Sequence, residues 1–325
     1  MNAADIADIG RASADIGRAS ARASREEASG PRLGLNMHPK WLRGGTAHAF
    51  LSPLRDLGLS VLEFRLDLSA SNWTETRALI EECRRLGFRL TFHAPFKRPH
   101  NPAGFSGPRR GEIEALYAPS IDYAGRITAD LADGMGSGSL LLAGGGLGWG
   151  SVPLVVHGAK GDRPREQLRR DTVAFLTWIL ERAPGLHPAL EILSRDPDVA
   201  KVGDNKAELV DVVSAVDSPR VGICWDLGHD ARNGSQAPPA DFVARVTHVH
   251  VHDITPDGED HGPLIFGNVP YIDYLRQLGE VGFRGVIILE VNGHLVCDLA
   301  DAQGIQPDDL LQHSLNELTR LISAW

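Results

Sequence analysis

Eight short apolar runs punctuate the chain from residue 33 onward: "LGLNM" (33–37), "SVLEFRL" (60–66), "FRLTFHA" (88–94), "VPLVVHG" (152–158), "PALEIL" (188–193), "RVGICWD" (220–226), "VTHVHVH" (246–252) and "GVIILEV" (285–291). Each is short for a helix and bounded by turn-forming or polar residues. Longer amphipathic stretches lie between them, at 73–87, 165–183, 206–216 and 271–282 among others. Apolar runs separated by helices predict a parallel sheet covered by helices. Eight such units over residues 33–325 predict a (β/α)8 barrel as one domain, with an open doubly wound sheet as the alternative.

The polar residues within these runs fall in register. Side chains alternate between the two faces of a strand, so His248, His250 and His252 share one face and Val249 and Val251 the other. The third and fourth runs close on His93 and His157, the fifth on Glu191, the sixth on Asp226 with His229 just beyond, and the eighth on Glu290. In a barrel, inward-pointing residues at the C-terminal strand ends line the active site. Burying such groups is costly unless they are paired or bind metal. One of them alone reads as a hydrogen-bonded core histidine or an ion pair. Six consecutive strands ending this way predict a metal site. His248, the deepest of the three histidines, is expected to support the ligands above it.

Composition narrows the function classes. The formal net charge is −9, which disfavours nonspecific nucleic-acid binding. The three cysteines lie far apart and show no CxxC pair, so they read as reduced and packed. No apolar run reaches membrane-spanning length and no signal-peptide core opens the chain, so a cytoplasmic location is expected. Residues 1–32 carry "ADIGRASADIGRAS", a seven-residue unit written twice, and read as a disordered tail. The glycine-rich stretch 133–151 matches no phosphate-loop pattern and precedes a strand, so it reads as an insertion.

With these residues placed, the chain resembles the xylose-isomerase-like TIM barrel superfamily, which includes sugar phosphate isomerases and epimerases, inosose dehydratases and endonuclease IV. The resemblance rests on "HAP", a strand ending in Glu, "WDLGH", "HVHD", "DHGPLIFGNVPY" and "ILEVN", in that order. It implies that Glu191, Asp226, His250 and Glu290 bind one divalent metal, Mn²⁺, Co²⁺, Mg²⁺ or Zn²⁺. His250 aligns with the family histidine because Asp253 follows three residues later. The resemblance further implies substrate contacts from His93, His157, His229, His252, Lys160 and His261. In the endonuclease branch His93 and His157 match positions that hold a further zinc, and a D-x-H pair completes a third site. Here the stretch reads "GEDHG", so Glu259 or Asp260 would have to stand in beside His261.

The leading expectation is a metal-dependent isomerase or epimerase of a sugar or sugar phosphate. Glu191 and Glu290 would act as the catalytic pair, one removing a proton α to a carbonyl and the other returning one. A dehydratase starts with the same proton abstraction. A multi-zinc endonuclease on abasic DNA is the alternative of a different class, and the acidic chain weighs against nucleic acid. A homo-oligomer is left open. Lys97, Arg98, Arg109, Arg110 and Lys160 follow the third and fourth strands, where they could meet an anion or simply stand in solvent.

Overall fold

The computed structural model describes residues 30–135, 152–235, 237–323 and 325. The tail up to residue 29 and the glycine-rich stretch 136–151 lie outside the described residues. Eight parallel strands close into a barrel in sequential order. They are β1 (Arg32–Asn36), β2 (Leu59–Arg65), β3 (Arg89–His93), β4 (Val152–Val156), β5 (Leu186–Glu191), β6 (Gly222–Asp226), β7 (Val246–Val251) and β8 (Val286–Leu289). Each overlaps one of the eight apolar runs, and β1 pairs with β8 to complete the ring. The open-sheet alternative is thereby excluded.

Helices α1 (Ala47–Asp56), α2 (Trp73–Arg85), α3 (Arg110–Met135), α4 (Arg165–Arg182) and α5 (Lys206–Val216) cover the outside. So do α6 (Leu227–Arg232), α7 (Ala240–Val243), α8 (Tyr271–Glu280), α9 (Gly293–Gln303) and α10 (Pro307–Ile322). The packing follows helical spacing: α8 buries Tyr271, Tyr274, Leu275 and Leu278. Outward strand residues such as Leu62, Phe92, Leu190, Val249 and Ile287 are fully buried beneath the helices. Inside the barrel, Val155, Ala189 and Cys224 form one small apolar layer and Val61, Val286 and Ile288 another. This floor raises the polar residues at the strand ends to the barrel mouth. Among the described residues, no helix is long and apolar enough to cross a membrane.

Asp253, just past β7, fixes one wall of the mouth. Its fully buried carboxylate accepts hydrogen bonds from the backbone N–H groups of Ile254 (2.9 Å), Phe266 (2.9 Å), Gly267 (2.6 Å), Asn268 (3.0 Å) and Val269 (3.2 Å). The closing aspartate of "HVHD" therefore shapes a loop, with its carboxylate taken up by backbone amides. Asp253→Ala strands these amides, and we expect it to lower stability by about 3 kcal/mol, since bonds to a buried charge are individually strong. Urea unfolding measures it. A loss below about 1 kcal/mol would show that the loop is held by other contacts.

Candidate metal centre at the barrel mouth

The C-terminal strand ends bring His93, His157, Glu191, Asp226, His250 and Glu290 together, with His229 from α6 and His252 and His261 from the segment after β7. Three groups of potential ligand atoms result, each confined within 4.8 Å: His93, His157 and Glu191; Glu191, Asp226, His250 and Glu290; and Asp226, His229, His252 and His261. Glu191 belongs to the first two groups and Asp226 to the last two, so the three form one continuous line.

The distances follow that line. Glu191 Oε2 lies 3.1 Å from His93 Nε2 and 2.8 Å from His157 Nε2. Its other oxygen lies 3.4 Å from His250 Nδ1. His250 Nδ1 is also 2.9 Å from Glu290 Oε2 and 3.9 Å from Asp226 Oδ2. Asp226 Oδ2 lies 3.1 Å from His229 Nδ1, and Asp226 Oδ1 lies 3.0 Å from His252 Nε2. Asp226 Oδ1 also caps α6 by accepting from the His229 N–H at 2.8 Å. The rings of His252 and His261 stack at 4.2 Å.

Burial would raise the pKa of every carboxyl here, but the imidazoles outweigh it. His157, His250 and His93 hold Glu191 well below the usual carboxylate range, and His250 and His261 do the same for Glu290. His229 and His252 lower Asp226. The line thus presents ionised carboxylates against imidazoles.

Three observations fit this set to divalent cations. His93 Nδ1 sits 2.7 Å from the Ala94 carbonyl, which can only accept, so Nδ1 donates there. Nε2 is then the atom turned toward Glu191; burial would lower the His93 pKa but Glu191 raises it, so the cation held between them is a proton or the metal ion that replaces it. Asp226 Oδ2 and Glu290 Oε2 are buried without a hydrogen-bond partner, although imidazoles approach them closely. Near approach without alignment is what donors aimed at a common third point produce. Finally, two or three histidines with a carboxylate suit Zn²⁺ in the outer groups, and three carboxylates with one histidine suit Zn²⁺ or Mn²⁺ in the middle one.

A fourth group, Cys224, His248 and His250, lies deeper. Burial pushes the Cys224 thiol well up, which withholds the thiolate that a metal would need. The role of this layer comes instead from Glu63 on β2, a residue that the sequence reading passes over. Glu63 is 2% exposed, with His248 Nε2 at 2.9 Å and His250 Nε2 at 3.0 Å. Thr91 Oγ1 donates to it at 3.1 Å. Burial would raise its pKa; His250 and His248 outweigh that and hold it below the carboxylate range. The available signal was its place between Val61 and Arg65, on the inward face of an otherwise apolar strand.

Two other expectations change. Neither Glu259 nor Asp260 completes the third group: Asp260 pairs with Arg232 at 2.6 Å, and the Glu259 residue is exposed. His252 occupies that role, from the strand side. Its ring has room because residue 228 is glycine; a Cβ there would lie 2.0 Å from His252 Cε1. Lys160 stands in the loop after β4, where the Asn101 side chain donates to its carbonyl at 2.7 Å.

The stretch matching curated relatives is short. An uncharacterised protein of Methanocaldococcus jannaschii is 33% identical over 96 residues, which cover 27% of this chain and 32% of that protein. A probable endonuclease 4 of Mesomycoplasma hyopneumoniae (strain J) is 33% identical over 91 residues, covering 26% of this chain and 32% of that protein. The chain thus matches about a third of the length of these relatives. A solved D-tagatose 3-epimerase-like protein superposes with a TM-score of 0.59 at 20% identity, over 88% of this chain and 99% of that one, a likeness of fold. The profile described as "Xylose isomerase-like TIM barrel" matches residues 51–321, and with the closed barrel and its mouth now in place, the chain belongs to that family.

Proposed function

We propose that this protein is a multinuclear metal-dependent hydrolase of phosphate esters. The observation that carries the reading is the sharing of Glu191 and Asp226 among three ligand groups. An isomerase needs only the middle group as metal ligands and would use His93, His157, His252 and His261 as substrate contacts, whereas a multinuclear centre uses all of them as ligands. Divalent ions held in this line would supply Lewis acidity toward phosphoryl oxygens and favour deprotonation of an attacking water. The chain's own residues orient and insulate. Glu290, whose side chain is 16% exposed at the mouth, is placed to take a proton from a water or substrate hydroxyl in the cavity. Phe96 stacks on His157 at 4.6 Å and walls the first group from solvent. The similarity to a probable endonuclease 4 supports phosphoester chemistry, although the match spans a minor part of both chains.

The sugar isomerase or epimerase reading keeps one specific support. Glu191 and Glu290 reach His250 Nδ1 from different strands, at 3.4 Å and 2.9 Å, as a base pair flanking one substrate would. Elemental analysis combined with two assays separates the readings. We expect two or three divalent ions per chain and hydrolysis of bis(p-nitrophenyl) phosphate. A single ion, no ester cleavage, and deuterium uptake from heavy water by one of a panel of ketoses would sink the hydrolase reading.

A further inference from the structure

The mouth opens into a cavity of about 450 Å³, the size of a small-molecule site. Glu63, His93, His261 and Glu290 line its inner end, and His38, Lys40, Arg65 and His294 line another part of the same cavity. The second set has no part in the ligand groups. Its residues come from the loop after β1, the end of β2 and the start of α9.

We propose that His38, Lys40, Arg65 and His294 form an oxyanion subsite and that the substrate is a small molecule with a phosphate group bound there, separate from the ester acted on at the metal line. The inference rests on the hydrolase reading for the bond that is cleaved, but the subsite itself does not depend on it. Three basic side chains, Lys40, Arg65 and His294, surround half-buried His38. Lys40 Nζ stands 2.6 Å from His294 Nε2, and the Lys40 backbone N–H donates to His38 Nδ1 at 3.1 Å. Burial lowers the His38 pKa, and Lys40, Arg65 and His294 lower it further, the mark of a locally positive field. Among the described residues, no carboxylate forms an ion pair with Lys40 or Arg65. Asp67, the acid lining this part of the cavity, accepts instead from Ser69 Oγ at 2.7 Å. Other buried-edge cations are paired, as when Arg165 meets both Asp204 and Glu208. Bringing unpaired cations together costs free energy, and a bound anion recovers it.

The subsite is also preorganised. Asn36 Nδ2 donates to the Val291 carbonyl at 3.0 Å, and the Val291 N–H donates to Asn36 Oδ1 at 3.0 Å, so the ends of β1 and β8 are tied together beneath Lys40 and His294. The Arg65 guanidinium lies over the Phe96 ring, 5.6 Å from its centroid, which presents its planar fork to the cavity. The cavity volume and the net charge of −9 favour a small phosphorylated molecule over a nucleic-acid backbone.

Titration calorimetry on the full chain as isolated tests this with inorganic phosphate as the probe. Lys40→Ala and Arg65→Ala are expected to weaken phosphate binding about tenfold each, the worth of a charge-assisted bond, with metal content unchanged. Both side chains are exposed, so the variants should fold, and thermal melting verifies it. Asp226→Ala is expected to retain one phosphate per chain. The subsite is overturned if no saturable binding occurs, if both cation variants bind as the parent does, or if Asp226→Ala alone removes binding. Ribose 5-phosphate should displace phosphate; an oligonucleotide that displaces it more tightly would overturn the small-substrate assignment. Phosphate binding that depends on Lys40 in a protein that cleaves no ester would end the hydrolase reading and leave the subsite intact.

Discussion

Glu191→Ala is expected to cost the protein two bound metal ions rather than one, because Glu191 belongs to two of the three ligand groups. Phosphoester hydrolysis should fall by about ten-thousandfold, the scale seen when a shared part of a catalytic assembly is lost. His157→Ala touches the first group alone, so its expected loss is one ion. Elemental analysis of the two variants beside the parent gives the comparison. Equal metal content in Glu191→Ala and His157→Ala would mean that Glu191 is not shared. Glu191→Gln keeps the shape and one weaker oxygen ligand, and should fall between the two in metal retention.

Glu63→Ala is the largest expected effect on stability. Its two histidine neighbours are fully buried, so removing the carboxylate strips His248 of its acid partner and leaves His250 with acids on its Nδ1 side alone. Breaking a buried pair in this way costs about 4 kcal/mol. Glu63→Gln preserves packing and removes the charge. It should fold, while metal affinity falls about 10- to 100-fold because His250 is no longer oriented and polarised from behind. Urea unfolding reads the first effect, and competition with a chromogenic chelator reads the second. Parental stability in Glu63→Ala together with parental affinity in Glu63→Gln would show that the contacts at 2.9 Å and 3.0 Å carry no weight.

These residues also show where the sequence is legible and where it is not. Strand periodicity alone marks His93, His157, Glu191, Asp226, His250 and Glu290, because a barrel brings every inward strand end to one mouth. The same alternation puts Glu63 inward. Its meaning depends on His248 and His250, on a strand far along the chain, and no local pattern links them. The third ligand group fails for a different reason. "GEDHG" offers acids at suitable spacing, but loop conformation decides which of them turns inward, and Arg232 holds Asp260 away. The resemblance gives His252 a substrate contact, and folding makes it a neighbour of Asp226. The cationic end of the cavity is hidden for a similar reason: Lys40 and His294 meet only once the barrel closes. Helices α1 and α3 are weakly marked because Pro53 and Pro119 interrupt their patterns.

The contact between Gly228 and the ring of His252 sets an order on descent. A side chain at 228 and the imidazole of 252 in its present position cannot coexist, since the added Cβ would fall 2.0 Å from the ring. A lineage that keeps the ring where it now sits would acquire His252 only after residue 228 had become glycine; the opposite order forces the ring out of this position. Leaving the state has the same asymmetry: His252 must go first. Gly228→Ala should accordingly be harmful in this chain and tolerated once His252→Ser has been made, so the two positions form a ratchet that holds the third ligand group in place.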